Sequence, residues 1–339
     1  MSLPFPRVRH WGSIRWTSTT SERGTIEHVE RRLIVRDLVR IAFFVPQDNF
    51  DIAAGVSYAL DTYLRAIAGC ENALSRYLCC YWEDSRLDER GWELIRQTLE
   101  PKERKYIEDY EPHEAFYPLK DGADPYFIIS GEEDSGFCFE YYARLPSREP
   151  EPEWASVLRV TLPTEYLEER GSAFVRELAI DMASRLPFAS GHAGLALEGW
   201  GASYEKLDHL RPVMFRHPGF DLRGAHLRDD LGTRVDGVHW MNFFGQPVLG
   251  GLGGVAGLRA RLHSPGTEVQ ELEGDRAVVT LGRRPEAGDL TAGETLPAYR
   301  ELARVLEPWQ EPFPWRFLGR QNRASDEEEM RRWWRRFLD

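Results

Sequence analysis

The chain has 339 residues, and its 11 Trp, 13 Tyr and 17 Phe supply enough large apolar side chains to exclude a disordered protein and to fill one large core or two ordinary ones. With 43 Lys and Arg against 55 Asp and Glu, the formal charge of −12 repels phosphate polyanions on average and argues against direct nucleic-acid binding. Residues Met1 to Trp16 carry Arg7, Arg9 and Arg15 but no apolar run of signal-peptide or membrane-helix length, so a cytoplasmic protein that meets no membrane is expected.

In chain order, Leu33 to Val45 reads as a strand stopped by Pro46. Asp48 or Asp51 can cap the helix that follows, in which Ile52, Val56, Leu60, Tyr63, Leu64 and Ile67 form one apolar stripe. Ala73 to Tyr81 is a second strand, and Glu89 to Leu99 an exposed amphipathic helix. Cys70, Cys79, Cys80 and Cys138 lie scattered among apolar neighbours, as reduced core thiols do. Tyr126 to Ile129 and Phe137 to Tyr142 flank a polar loop and predict a hairpin whose tip carries Glu132, Glu133 and Asp134. Proline and charge at 147–153 mark the best internal boundary.

Val157 to Leu162 is the next strand, and Pro163 and Thr164 open a helical region that Gly171 divides before the apolar face of Phe174, Val175, Leu178, Ala179, Met182 and Leu186. Phe188 to Leu197 returns as a strand, Tyr204 to Phe215 reads as helical, and 218–232 as loop. Val235 to Phe244 is a third such strand, Val248 to Leu262 a glycine-rich helix, and Val269 to Leu281 a hairpin turning at Glu273, Gly274 and Asp275. Thr295 caps a helix through Leu306, and Arg331, Arg332, Arg335 and Arg336 beside Glu327, Glu328 and Glu329 read as a charged helix. Hairpins and irregular spacing predict an α+β fold: a mixed or antiparallel sheet with helices packed on it, built from several strand–helix–strand units.

Motifs for chemistry are weak. Gly251, Gly253 and Ala256 fit the spacing of a dinucleotide fingerprint, but Gln246 to Leu249 separate them from the strand, which places the glycines inside a helix and away from any pyrophosphate. His192, His209, His217, His226 and His239 share one region with Asp229, Asp230 and Asp236, yet no pair has the spacing of a metal-binding helix and no C-x-x-C is present. No catalytic residue, cofactor site or metal site is therefore assigned, and the alternative is a hydrolase or metal enzyme built around His192, Asp236 and His239.

The segment Gly237 to Leu249, followed by Gly253, Gly254 and Leu258, resembles the family of type VI immunity proteins paired with VRR-type nuclease toxins. Leu162 to Leu167, Leu186 to Phe188, Ser190 to Gly194, Leu296 to Tyr299 and Leu306 to Pro308 are similar to the same family, in order. The resemblance implies a cytoplasmic antitoxin, not an enzyme, that binds and neutralises a nuclease effector delivered by a type VI secretion system. It also implies that Trp240 and Phe243 pack and that Gly191 and Gly194 serve tight backbone geometry. Residues 1–30 are then an N-terminal extension, 31–310 an immunity-like α+β domain with a subdivision near 147–153, and 311–339 a charged helical tail. The expected contact surface for the effector comprises Trp82, Glu83 and Asp84 with the hairpin carboxylates Glu132, Glu133 and Asp134. An alternative partner is a component of the secretion apparatus, with the chain as its adaptor.

Overall fold

A computed structural model describes residues 16–20, 30–79, 85–104, 106, 108, 126–132, 135–144, 146–149, 154–199, 212–222, 231–313 and 324–339. The strands are β1 (Trp16–Thr20), β2 (Glu30–Val45), β3 (Arg76–Cys79), β4 (Ser85–Arg86), β5 (Tyr126–Ser130), β6 (Cys138–Tyr142), β7 (Ser156–Pro163), β8 (Ser190–Gly199), β9 (Met241–Phe244), β10 (Thr267–Leu272) and β11 (Arg276–Leu281). The first helices are α1 (Asn49–Ala66), α2 (Glu89–Leu99), α3 (Thr164–Arg170) and α4 (Ser172–Ala183). The strands form one sheet in the order β10-β11-β9-β8-β2-β7-β6-β5-β3-β4, with β1 paired to β2 off this path. Every pairing between these strands is antiparallel, so the fold is α+β as the hairpins imply.

The long β2 is the centre of the sheet. It pairs with β7 through Leu38–Val45 and with β8 through Val35–Phe44. The strand–helix–strand unit β7-α3-α4-β8 is therefore split by an inserted antiparallel strand that was made more than a hundred residues earlier in the chain. The proline-rich stretch 147–153 links β6 and β7, which pair directly within this one sheet.

Period-two alternation sends successive side chains to opposite faces. From β2, Val39, Ile41 and Phe43 join the main core, with Leu158, Val160 and Leu162 of β7 and Ala193, Leu195 and Leu197 of β8. Helices cover this face. Asp48 caps α1 by accepting a hydrogen bond from the Phe50 amide at 2.9 Å, and the stripe Ile52, Val56, Leu60 and Tyr63 is buried as its spacing requires. Tyr63 donates its hydroxyl to the Thr161 carbonyl at 2.9 Å, tying α1 to β7. Gly171, at φ 84°, separates α3 from α4, and Val175, Leu178, Ala179 and Met182 pack inward.

Several expected elements differ in extent from those observed. The strand expected over Val235 to Phe244 forms only at Met241–Phe244, because residues before it turn: the Asn242 carboxamide accepts from the His239 amide at 2.9 Å and donates to the His239 carbonyl at 2.7 Å. The glycine-rich helix is two short helices, Val248–Gly251 and Gly254–Arg259, interrupted where Gly253 and Gly254 take φ of 81° and 68°. A methyl group on Gly251 would overlap the ring of Trp309, so that glycine admits the aromatic side chain.

The helix Pro297–Leu306 has Leu296, not Thr295, at its cap position and buries Tyr299, Leu302 and Leu306. The charged C-terminal helix, Ala324–Trp334, is docked on the molecule: Met330, Trp333 and Trp334 bury against Met214. Beyond its end, the Arg336 guanidinium donates to the Pro218 carbonyl at 2.7 Å. Among the described residues no helix is long and apolar enough to cross a membrane.

Candidate functional site

The sheet face opposite α1 and α4 carries charge. Arg40 on β2, Arg159 on β7, Glu140 on β6 and Glu198 on β8 occupy the positions alternate to the core residues. Arg159 binds Glu140 in a two-pronged pair with both contacts at 2.6 Å and reaches Glu198 at 3.1 Å. Arg40 lies 3.8 Å from Glu198 and bonds Asp221 at 2.7 Å. Burial opposes ionisation of Glu198, but Arg159 and Arg40 overcome it and hold its carboxyl below the usual range.

Asp221 connects this chain of charges to a second cluster. It lies beside β8 through a bridge to Ala196, and it gathers with His192 of β8, Asp236 and His239, all at most 3% exposed. His192 Nδ1 is 2.9 Å from Asp236 Oδ2, and His239 Nε2 is 3.5 Å from Asp236 Oδ1. The two imidazoles stack with centroids 3.7 Å apart. Burial and the neighbouring His192 push His239 down to about 4, so its ring is neutral at physiological pH. Burial alone would raise the Asp236 carboxyl, but the two histidines beside it hold it well below the usual range. With these side chains closed off from solvent, the cluster is no open catalytic cleft.

The structure thus brings together His192, Asp236 and His239, the three residues of the enzyme alternative. The sequence reading missed Asp221, Arg40, Arg159, Glu140 and Glu198. For Arg40, Arg159, Glu140 and Glu198 the signal was a charged residue at alternate positions of strands whose other positions are apolar. Of the expected contact residues, Trp82, Glu83, Asp84, Glu133 and Asp134 lie outside the described residues. Glu132 is exposed and accepts a hydrogen bond from the Ser75 hydroxyl at 3.3 Å. In the β3–β5 pair, register places Cys79 opposite Phe127 and Ser130 opposite Arg76.

The recurring segments have structural jobs. Trp240 is 1% exposed and donates its indole N–H to the Gly282 carbonyl at 3.1 Å. Phe243 meets Phe43 and Phe188 edge to face, at 5.2 and 5.9 Å between centroids. A methyl on Gly191 would come within 2.7 Å of the Ala42 carbonyl, and one on Gly194 within 3.3 Å of the His239 side chain, so both glycines serve close approach.

These features define a single-sheet α+β scaffold with helices on one face and a buried network of charge on the other. The chain belongs to the family described as type VI immunity for VRR-NUC (TsiV), whose model matches residues 59–337. Among solved structures it is similar to the Pseudomonas aeruginosa T6SS protein PA0821, with 20% identity, a TM-score of 0.66, and coverage of 91% of this chain and 85% of that one; this likeness shows the fold. No curated protein matches the chain.

Proposed function

We propose that this immunity protein is a cytoplasmic antitoxin that binds a type VI secretion nuclease effector and blocks its DNA-binding or active face, with no chemistry of its own. The observation that carries the reading is the family match over residues 59–337. The formal charge of −12 supports it, because a nuclease that holds DNA phosphates presents a positive surface toward which an acidic inhibitor is steered. Complexes of DNases with immunity proteins reach dissociation constants on the order of 10⁻¹³–10⁻¹⁶ M, and this pair is expected to approach that range. Co-expression with a candidate VRR-type nuclease effector should restore growth and yield a co-purifying complex. Free, active nuclease in the same cells would reject the reading.

The proposed contact surface comprises Trp82, Glu83 and Asp84 with Glu132, Glu133 and Asp134. Steering by charge acts chiefly on the association rate. Changing Glu132, Glu133 and Asp134 together to Lys should slow association by about tenfold at low salt and flatten its dependence on ionic strength. Stopped-flow mixing at two salt concentrations measures this, and an unchanged rate and slope would remove the hairpin from the contact surface.

A further inference from the structure

We propose that His192, Asp221, Asp236 and His239 form a binding site for one divalent transition-metal ion, with zinc the first candidate by donor chemistry. One ligand atom from each residue lies within 4.8 Å of the other three. Two imidazole nitrogens and two carboxylate oxygens suit a borderline ion such as Zn²⁺, and two carboxylates balance its charge in a place closed to water.

The relative placement of the groups favours an ion over plain hydrogen bonding. Neither ring nitrogen of His192, nor Nε2 of His239, makes a well-directed hydrogen bond among the described residues, although Asp236 oxygens lie 2.9 and 3.5 Å away. Close approach without hydrogen-bond direction is the relation between neighbouring ligands of one ion. With metal–ligand bonds of about 2.0–2.1 Å, tetrahedral ligand atoms sit roughly 3.3 Å apart. Buried imidazole nitrogens without a well-directed hydrogen bond are costly, and a metal ion satisfies them.

Supporting residues position the ligands from behind. Arg40 grips one oxygen of Asp221 at 2.7 Å. Asn242 fixes the His239 backbone on both sides, and Gly194 leaves room for the His239 side chain. The imidazole planes are 14° apart, nearly parallel, so binding one ion through both turns one ring out of the stack. It also draws the farthest ligand atoms together by about 1.5 Å. Such an ion would pin β8 to the Asp221 segment and to the turn that carries Asp236 and His239. This inference is independent of the nuclease-binding reading.

The test uses the purified full chain, stripped with a strong chelator and titrated with Zn²⁺ against a chromophoric competitor. Expected are saturable binding of about one Zn²⁺ per chain and a melting temperature raised by several degrees at saturating metal. His192→Gln and His239→Gln should each weaken binding by at least about 100-fold, with circular dichroism confirming that the variants fold. The Co²⁺-loaded wild type should show the d–d spectrum of a four-coordinate site. Absence of saturable binding by the wild type overturns the proposal whatever the variants do, and so does unchanged affinity in both folded variants.

Discussion

Replacing Arg159 with Met is expected to destabilise the protein by about 3–5 kcal/mol, the cost of breaking a buried ion pair by removing one partner. Arg159 is 6% exposed and holds Glu140, itself 7% exposed, through two contacts of 2.6 Å. Without the guanidinium, the carboxylates of Glu140 on β6 and Glu198 on β8 lose the cation that joins them across the two strands between, and Arg40 remains beside Glu198. The double variant Arg159→Met with Glu140→Leu should recover part of the loss, because two well-packed apolar groups leave less charge stranded. In the wild type the Glu198 carboxyl is held below its ordinary value of 4.5, so its ionic contribution is present above that value and fades as pH falls through the depressed one. In the variant Glu198 loses the cation that favours its charged form and gains by protonation, so the deficit relative to wild type should narrow between pH 7 and pH 5. Urea unfolding at the two pH values measures the difference, and a deficit that widens on acidification would contradict this account of the network.

The second large effect is expected from Trp240→Ala, also about 3–5 kcal/mol, since it empties a fully enclosed site of a large side chain and leaves the Gly282 carbonyl without its indole donor. Trp240 lies in the segment through which the family resemblance is most evident, so the experiment separates a packing role from a binding role. If the segment is core, the folded fraction of the variant binds effector as tightly as the wild type while its unfolding midpoint drops. A normal midpoint with lost binding would instead place Trp240 in the interface.

Much of the fold was legible where one period governs one buried face. The stripe Ile52, Val56, Leu60 and Tyr63 identified α1, and Gly171 marked the break between α3 and α4. The β5–β6 and β10–β11 hairpins followed from turn residues between β-rich runs. The order of strands was not legible, because β2 recruits partners from distant parts of the chain and is buried on both faces, where no simple alternation of polar and apolar residues selects a neighbour. The extent of β9 was misread because Val235 and Val238 look like strand residues, whereas the Asn242 contacts to His239 turn the backbone there.

The buried cluster was legible only in part. His192, Asp236 and His239 attracted notice as titratable residues of one region, but their spacing fits no local motif, since a strand supplies the first and a turn the other two. Asp221 sits in a stretch rich in loop-forming residues, and only its pairing with Ala196 of β8 brings it inward. Arg40 and Arg159 resembled solvent-facing positions of half-exposed strands, and burial of the second sheet face makes them members of a network. Charged residues alternating with branched apolar ones can therefore mean either a wet face or a paired one, and tertiary structure decides which.

The most direct measurement of the central claim is a titration of DNA cleavage. Purified effector nuclease at fixed concentration, mixed with increasing amounts of this protein, should lose activity linearly and reach zero at one equivalent, with a light-scattering mass equal to that of the complex. Undiminished cleavage in the presence of a molar excess of folded protein would contradict it.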